Sequence, residues 1–365
     1  MRILAAIPGL SLVAIILWDA FETIILPRRV TRRIRLTGLF YSSLWLPWSG
    51  FVKYVTTRKR SEKYLSLFGP LSLLILLVIW AFGLILGYAI LLWSVNAKLS
   101  SVESVSFWTY FYLSGVTFFT LGYGDIAPLF PLGRFLAVVE AANGFGLLAI
   151  VISYLPILYQ AFSRREASIS LLDARAGSPS SAVELLRRHR AEDTFEDLNR
   201  LLSEWERWSA ELLESHLSYP VLCYFRSQHD NQSWLGALTT VLDTCALVMV
   251  GVDGAPVWQA RMTFAMARHA VVDIAQVFRT KPSTAECCDT RLTPTDLARL
   301  RRILKENGIK LGEDPETERR LLEFRLMYEP YVAALSDWLM MPLPPWILAP
   351  DAIDNWKTSA WGRIQ

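Results

Sequence analysis

Residues 117–128 read TFFTLGYGDIAP and lie between two apolar runs, each long enough to cross a bilayer. In hydrocarbon every backbone N–H and C=O must find a partner within the protein, so a spanning segment is a helix unless protein buries the exception or water lines it. Two glycines one residue apart weaken a helix at that point. The segment must therefore line something, and the rest of the chain has to be arranged around it.

The chain is 53% hydrophobic and 19% charged, against roughly 25% charged residues in a soluble domain. The excess is uneven: residues 65–93 hold no Asp, Glu, Lys or Arg, whereas charge is spread throughout the chain beyond Arg164. A membrane half and a soluble half follow, and 365 residues suffice for both. The net charge of +3 is small and no Lys/Arg stripe interleaves with aromatics outside the membrane flanks, which excludes nucleic acid as a partner class. Cys223, Cys245, Cys287 and Cys288 lack Cys-x-x-Cys spacing and read as buried or free thiols in a reducing compartment.

Residues 3–26, 65–93 and 132–160 each meet the length of about 20 residues that a hydrocarbon core requires. The first is placed like a signal peptide, but it is long, carries Asp19 and Glu22 and lacks a clear small-residue cleavage site, so it reads as a retained helix. Asp19 and Glu22 are expected to pair with the arginines that follow them. Arg28, Arg29, Arg32, Arg33 and Arg35 after the first span, with Arg58, Lys59, Arg60 and Lys63 before the second, put both clusters on the cytoplasmic side and the N-terminus outside. The same five arginines are a candidate site for anionic lipid. Residues 36–52 begin and end on one side and hold Trp45, Pro47 and Trp48, which reads as an interfacial or re-entrant helix. No membrane helix carries regularly spaced arginines, which argues against a voltage sensor.

Residues 104–119 are apolar and helix-compatible, with Ser104 as the expected N-cap. The C-terminus of such a half-helix points at Thr120, and its partial negative charge favours a cation. Beyond it, Gly122 and Gly124 can turn successive carbonyls toward one axis while Leu121 and Tyr123 point away. Rings of such oxygens, with the Thr120 hydroxyl below them, replace the hydration shell of K⁺ when four copies surround the axis.

Thr120-Leu121-Gly122-Tyr123-Gly124-Asp125 resembles the selectivity-filter signature Thr-Val-Gly-Tyr-Gly-Asp of the potassium-channel superfamily, with Leu121 in place of Val. Pro128, Gly133 and Arg134 are similar to what that family places after the filter. The resemblance covers residues 65–162 and implies an all-α membrane protein with outer helix, pore helix, filter and inner helix. One pore loop per chain implies a homotetramer, with K⁺ as the permeant ligand and no cofactor. It also implies that Asp125 supports the filter through Tyr112, which stands in for the family's usual Trp. Val116 occupies a position where some relatives carry Glu, so that acid pair is absent. Gly144, twenty residues beyond Gly124, takes the hinge position, and Gly146 follows; small residues for close helix packing are the alternative reading. Helical spacing puts Phe145, Leu148 or Ala149, and Ile152 or Ser153 on the cavity face, with Pro156 at its end as a gate or a helix exit. Pro156 cannot donate to the Ile152 carbonyl, which predicts a kink near Ser153. Glu140, an acid within the span, is expected to pair with a pore-helix hydroxyl or with Asn143.

Four parts result: residues 1–35 (helix and basic flank), 36–63 (interfacial helix and linker), 64–162 (pore) and 163–365 (an all-helical cytoplasmic domain). In the last, Ser181 and Glu184 form a capping box before a long helix ending near Pro220. Further helices are expected over 232–250 and 256–279, then from Thr293 to Gly308, and over 315–340 with an interruption at Pro330. Residues 281–291 read as a loop and 342–365 as irregular. No Gly-x-Gly-x-x-Gly follows a strand and no cyclic-nucleotide β-roll pattern occurs. His189, His216, the His229–Asp230 pair and Asp273 could be imagined as ligands of a metal-dependent phosphohydrolase. The pair, however, sits before a helix where Asp serves as an N-cap, so no enzyme is expected. Arg226, Gln228, His229 and Asp230 form the best candidate for an intersubunit contact or a site for an unknown small-molecule or protein regulator. The leading expectation is a K⁺-selective channel of the cell membrane. Its alternatives, a weakly selective cation channel or a K⁺ uptake subunit, conflict with the intact Gly122-Tyr123-Gly124 and with the single repeat.

Overall fold

The computed structural model describes residues 2–26, 36–55, 58–100, 105–190, 195–229 and 231–349. Arg28, Arg29, Arg32, Arg33, Arg35, Ser104 and Asp230 lie outside the described residues. The chain forms two compact units, Met1–Gln160 and Ala161–Gln365. Among the described residues the regular elements are all helices, and strand pairing is limited to two isolated bridges. Among the described residues four helices are long and apolar enough to cross a membrane: Ile3–Ile25, Arg60–Ser94, Pro131–Ala176 and Trp234–Gly251. The last is 94% buried inside its own unit and serves there as a core helix.

In the first unit α1 (Ala6–Ala20) runs on through a π-helical turn (Phe21–Ile25), followed by α2 (Leu36–Val55), α3 (Arg58–Ser94), α4 (Phe107–Phe118) and the start of α5 (Pro131–Ala176). The contact of α1 with α3 depends on glycine. A Cβ on Gly9 would lie 3.0 Å from the Gly87 carbonyl oxygen, and one on Gly87 would lie 2.7 Å from Val13 Cγ2. Lipid tails are as apolar as leucine, so helices associate in a membrane through close backbone approach and polar contacts. Gly83-x-x-x-Gly87 supplies that approach, and Val13, Ile16 and Ala20 pack there with Leu76, Trp80 and Leu84 in one core.

Asp19 has partners that the sequence did not indicate. Its Oδ2 accepts from Thr37 Oγ1 at 2.6 Å and from Trp80 Nε1 at 3.0 Å, while Oδ1 accepts from the Thr37 backbone N–H at 3.1 Å. These are neutral donors on α2 and α3, and the side chain is buried among them; the arginines expected to pair with it lie outside the described residues. Glu22 accepts from Trp18 Nε1 at 2.7 Å. Asp19→Ala leaves three buried donors without an acceptor and is expected to destabilise the first unit by about 2–3 kcal/mol, read as a lower melting temperature in detergent.

The second unit continues α5 and adds α6 (Ala182–Arg188), α7 (Glu196–Ser218), a 3₁₀ turn (Pro220–Tyr224), α8 (Trp234–Gly251), α9 (Val257–Val277), α10 (Glu286–Arg291), α11 (Pro294–Glu306), α12 (Pro315–Leu326) and α13 (Glu329–Leu339). The long helix expected after Ser181 is two helices. Ser181 Oγ accepts from the Glu184 N–H at 3.2 Å, but the Glu184 carboxylate turns to Arg187 and Arg188 instead of back to Ser181. His189 then closes α6, its backbone N–H and ring Nδ1 both reaching the Leu185 carbonyl. Ser233, not Asp230, caps α8 by accepting from Gly236 N–H at 2.9 Å. Residues expected as a loop contain α10. Pro330 sits in the first turn of α13, where its missing N–H has no helical partner to lose.

The apolar α8 carries one buried acid. Asp243 accepts from both terminal nitrogens of Arg291 and from Tyr328 Oη at 2.5 Å. Arg291 also donates to Glu329 at 2.8 Å, and Arg325 donates to both oxygens of Glu329 at 3.1 Å. Removing one member strands the others in a low-dielectric core. Asp243→Ala is expected to destabilise the second unit by about 3–5 kcal/mol in denaturant titrations.

Candidate functional site

Ser106 holds extended backbone angles before α4, and its N–H donates to Thr109 Oγ1 at 3.3 Å, half of a reciprocal cap. The N-cap is thus two residues later than Ser104. Two hydroxyls fasten α4 to α3 and its exit: Tyr110 Oη donates to the Ala97 carbonyl at 3.0 Å and Ser114 Oγ to the Ile85 carbonyl at 2.7 Å. At the other end, the N–H groups of Phe119, Thr120 and Leu121 still reach back to carbonyls of α4.

The backbone then changes character. Thr120, Gly122 and Gly124 have φ of 54°, 60° and 76°, whereas Leu121 and Tyr123 are absent from the positive-φ residues. Alternation of left- and right-handed twist gathers the N–H groups on one side of a strand and the carbonyls on the other. A β-branched residue in the left-handed region costs of order 1–3 kcal/mol and persists where its surroundings over-determine it. Thr120 is such a residue. A Cβ on Gly122 or Gly124 would meet nothing within 4 Å, so backbone angle and not crowding makes those positions glycine. The Leu121 and Tyr123 side chains stand out from the single chain, 53% and 67% exposed.

Polar contacts secure the return of the chain. Tyr112 Oη donates to Asp125 Oδ2 at 2.9 Å. The Ser100 N–H donates to the Ala127 carbonyl and the Leu129 N–H to the Lys98 carbonyl, both at 2.9 Å, while Arg134 Nε donates to the Pro128 carbonyl at 3.1 Å. On α5, fully buried Glu140 is hydrogen-bonded to the α4 hydroxyl of Ser114; Asn143 instead donates to Tyr88 Oη at 2.5 Å. Val116 is buried in α4.

The two α5 glycines differ. A Cβ on Gly144 would sit 2.0 Å from the Phe118 carbonyl oxygen, whereas one on Gly146 would meet nothing within 4 Å. Gly144 is where α5 crosses the end of α4. Phe145, Leu148, Ala149, Ile152, Ser153 and Pro156 are exposed on the single chain. α5 stays helical through Pro156 and onward to Ala176.

In the second unit Arg226 caps α13, donating to the Leu339 carbonyl at 2.5 Å and the Met340 carbonyl at 3.1 Å. Gln228 and His229 are exposed. A cavity of about 310 Å³ is lined by Cys287, Thr290, Arg291, Glu329, Ala333 and Pro344 among others, and not by Arg226, Gln228 or His229. No sequence signal singled out its charged walls, whose members come from α10 and α13. Among the described residues no three His, Cys, Asp or Glu side chains are grouped to hold a metal. His216 is buried against Trp234, and Asp273 faces His269 at 3.9 Å. The cysteines are free thiols.

α3, α4, the strained segment and α5 make up a pore-loop module in an all-α membrane protein. Residues 74–161 match the family model described as an ion channel. The chain is also similar to the uncharacterized membrane protein YdjJ of Bacillus subtilis (strain 168), 26% identical over 213 residues. That match covers 58% of this chain and 60% of the relative, so the chain spans less than two-thirds of the relative's length. No solved structure matches. Gly144→Ala must push α5 away from the Phe118 carbonyl and is expected to lower the melting temperature, whereas Gly146→Ala should be neutral or stabilising by up to about 1 kcal/mol through helix propensity.

Proposed function

We propose that the chain is a K⁺-selective channel, conducting passively through a homotetrameric pore whose filter is Thr120-Leu121-Gly122-Tyr123-Gly124. The observation that carries this reading is the positive φ at Thr120, Gly122 and Gly124, alternating with Leu121 and Tyr123, which supports a filter whose carbonyls turn to one side. A K⁺ ion exchanges its hydration shell for such oxygens. The exposed side chains of Leu121 and Tyr123 fit contacts with neighbouring copies. On this reading Phe145, Ala149, Ile152, Ser153 and Pro156 line the cavity and its exit. The protein sits in the cell membrane with its N-terminus outside, anionic lipid at the arginines between 28 and 35, and the helical bundle in the cytoplasm as an assembly and regulatory domain.

K⁺ and Na⁺ flux into proteoliposomes tests the reading. K⁺ is expected to pass at least ~10-fold faster than Na⁺. Gly122→Ala, which forces a Cβ into the left-handed region at a cost of about 1–2 kcal/mol in each of four chains, should abolish that preference. Equal K⁺ and Na⁺ flux through the unaltered chain would replace this proposal with a weakly selective cation channel.

A further inference from the structure

The last turns of α5 bury a cation. Arg165 is 4% exposed and all of its N–H groups have acceptors. Nε donates to Glu166 Oε1 at 3.0 Å, and Nη1 donates to the Leu222 carbonyl at 2.9 Å and to His216 Nε2 at 3.2 Å. Nη2 donates to the Phe225 carbonyl at 2.8 Å and lies 3.0 Å from Glu166 Oε1. The Phe162 ring covers the guanidinium, with Cζ 5.1 Å from its centroid. One side chain thus joins α5 to the 3₁₀ turn Pro220–Tyr224, to the residue after it and to α7.

The two carbonyl acceptors, of Leu222 and Phe225, do not titrate. The imidazole acceptor does. A guanidinium has donors only, so His216 Nε2 must be the bare nitrogen, and Nδ1 carries the proton that it gives to the Leu212 carbonyl at 2.9 Å. The imidazole is wholly buried and packs at a tilt of 53° against Trp234 of α8, centroids 5.1 Å apart. The titratable groups beside this contact are Arg165 and Glu166 on α5 and the Cys223 thiol on the 3₁₀ turn; α8 contributes only the neutral indole.

We propose that the Arg165–His216 contact is a proton-sensitive latch: neutral His216 holds the bundle to the end of α5, and uptake of a proton releases it. A proton on Nε2 would set donor against donor and place two cations side by side. Burial, and then the adjacent guanidinium, hold the imidazole's proton affinity well below the ordinary histidine value. The sign follows. The released state takes up a proton below a pH of about 6.5 while the latched state does not, so the latch weakens as pH falls through that value. The consequence for conduction rests on the channel reading above, but the latch itself does not.

Amide hydrogen exchange of the full chain, corrected for intrinsic rates, decides without any flux measurement. Exchange at residues 161–176 is expected to quicken by about fivefold between pH 6.5 and 5.5, because at pH 6.5 the released imidazole is already half protonated. His216→Gln keeps an acceptor for Arg165 and a donor for Leu212, does not titrate, and should exchange at a pH-independent rate. Should that variant not fold, His216→Phe serves, expected to exchange fast at both pH values. Glu166→Gln should retain the acid response, which separates the imidazole from the carboxylate. No acceleration in the unaltered chain, or an equal one in His216→Gln, would overturn the latch.

Discussion

A backbone that leaves the helix inside a membrane must have every polar group accounted for by protein, water or ion, and that constraint organises the first unit. The non-helical stretch from Thr120 to Gly124 can exist because α4 delivers it with its first N–H groups still bonded to helix carbonyls. α4 in turn is held by hydroxyl bonds to α3 and by the crossing of α5 at Gly144, where the Phe118 carbonyl leaves no room for a side chain. On the channel reading proposed above, the carbonyls of that stretch are the groups a cation uses. The Tyr112–Asp125 bond and the pairing of residues 98–100 with 127–129 then return the chain to helix.

The parts of this arrangement set by local chemistry were legible in the sequence. Gly122 and Gly124 announce left-handed backbone, Thr293-Pro294 announces the start of α11, and Pro330 breaks the last helical run. Where partners are distant in the chain, the pattern was silent. Asp19 finds Thr37 and Trp80, 18 and 61 residues away. The join of Arg165 to His216 spans 51 residues and that of Asp243 to Arg291 spans 48. One missed signal was local all the same: Gly83-x-x-x-Gly87 stands in α3 and marks the seat of α1. Caps were misplaced at Ser104 and at Asp230 because several Ser and Asp residues precede each helix, and only the backbone angles at Ser106 and Ser233 select among them.

The two units settle their buried acids differently, and the difference follows from what each can bring to bear. In the first, Asp19 takes neutral donors from Thr37 and Trp80, and Glu140 takes the hydroxyl of Ser114. Hydroxyls and an indole are short groups that helices already packed together can present without carrying a second charge into hydrocarbon. In the second, Asp243 and Glu329 are met by Arg291 and Arg325, whose long side chains reach in from α10 and α12 under the ring of Trp346. Desolvating four charges stabilises little by itself, but deleting one is costly, so such a network fixes which helices may pair more than it adds to stability. Arg165 belongs to neither scheme. It is a buried cation held by the Glu166 carboxylate, two carbonyls and a histidine that must stay neutral, and on the latch proposal it is the contact that a shift of a single pH unit is placed to undo.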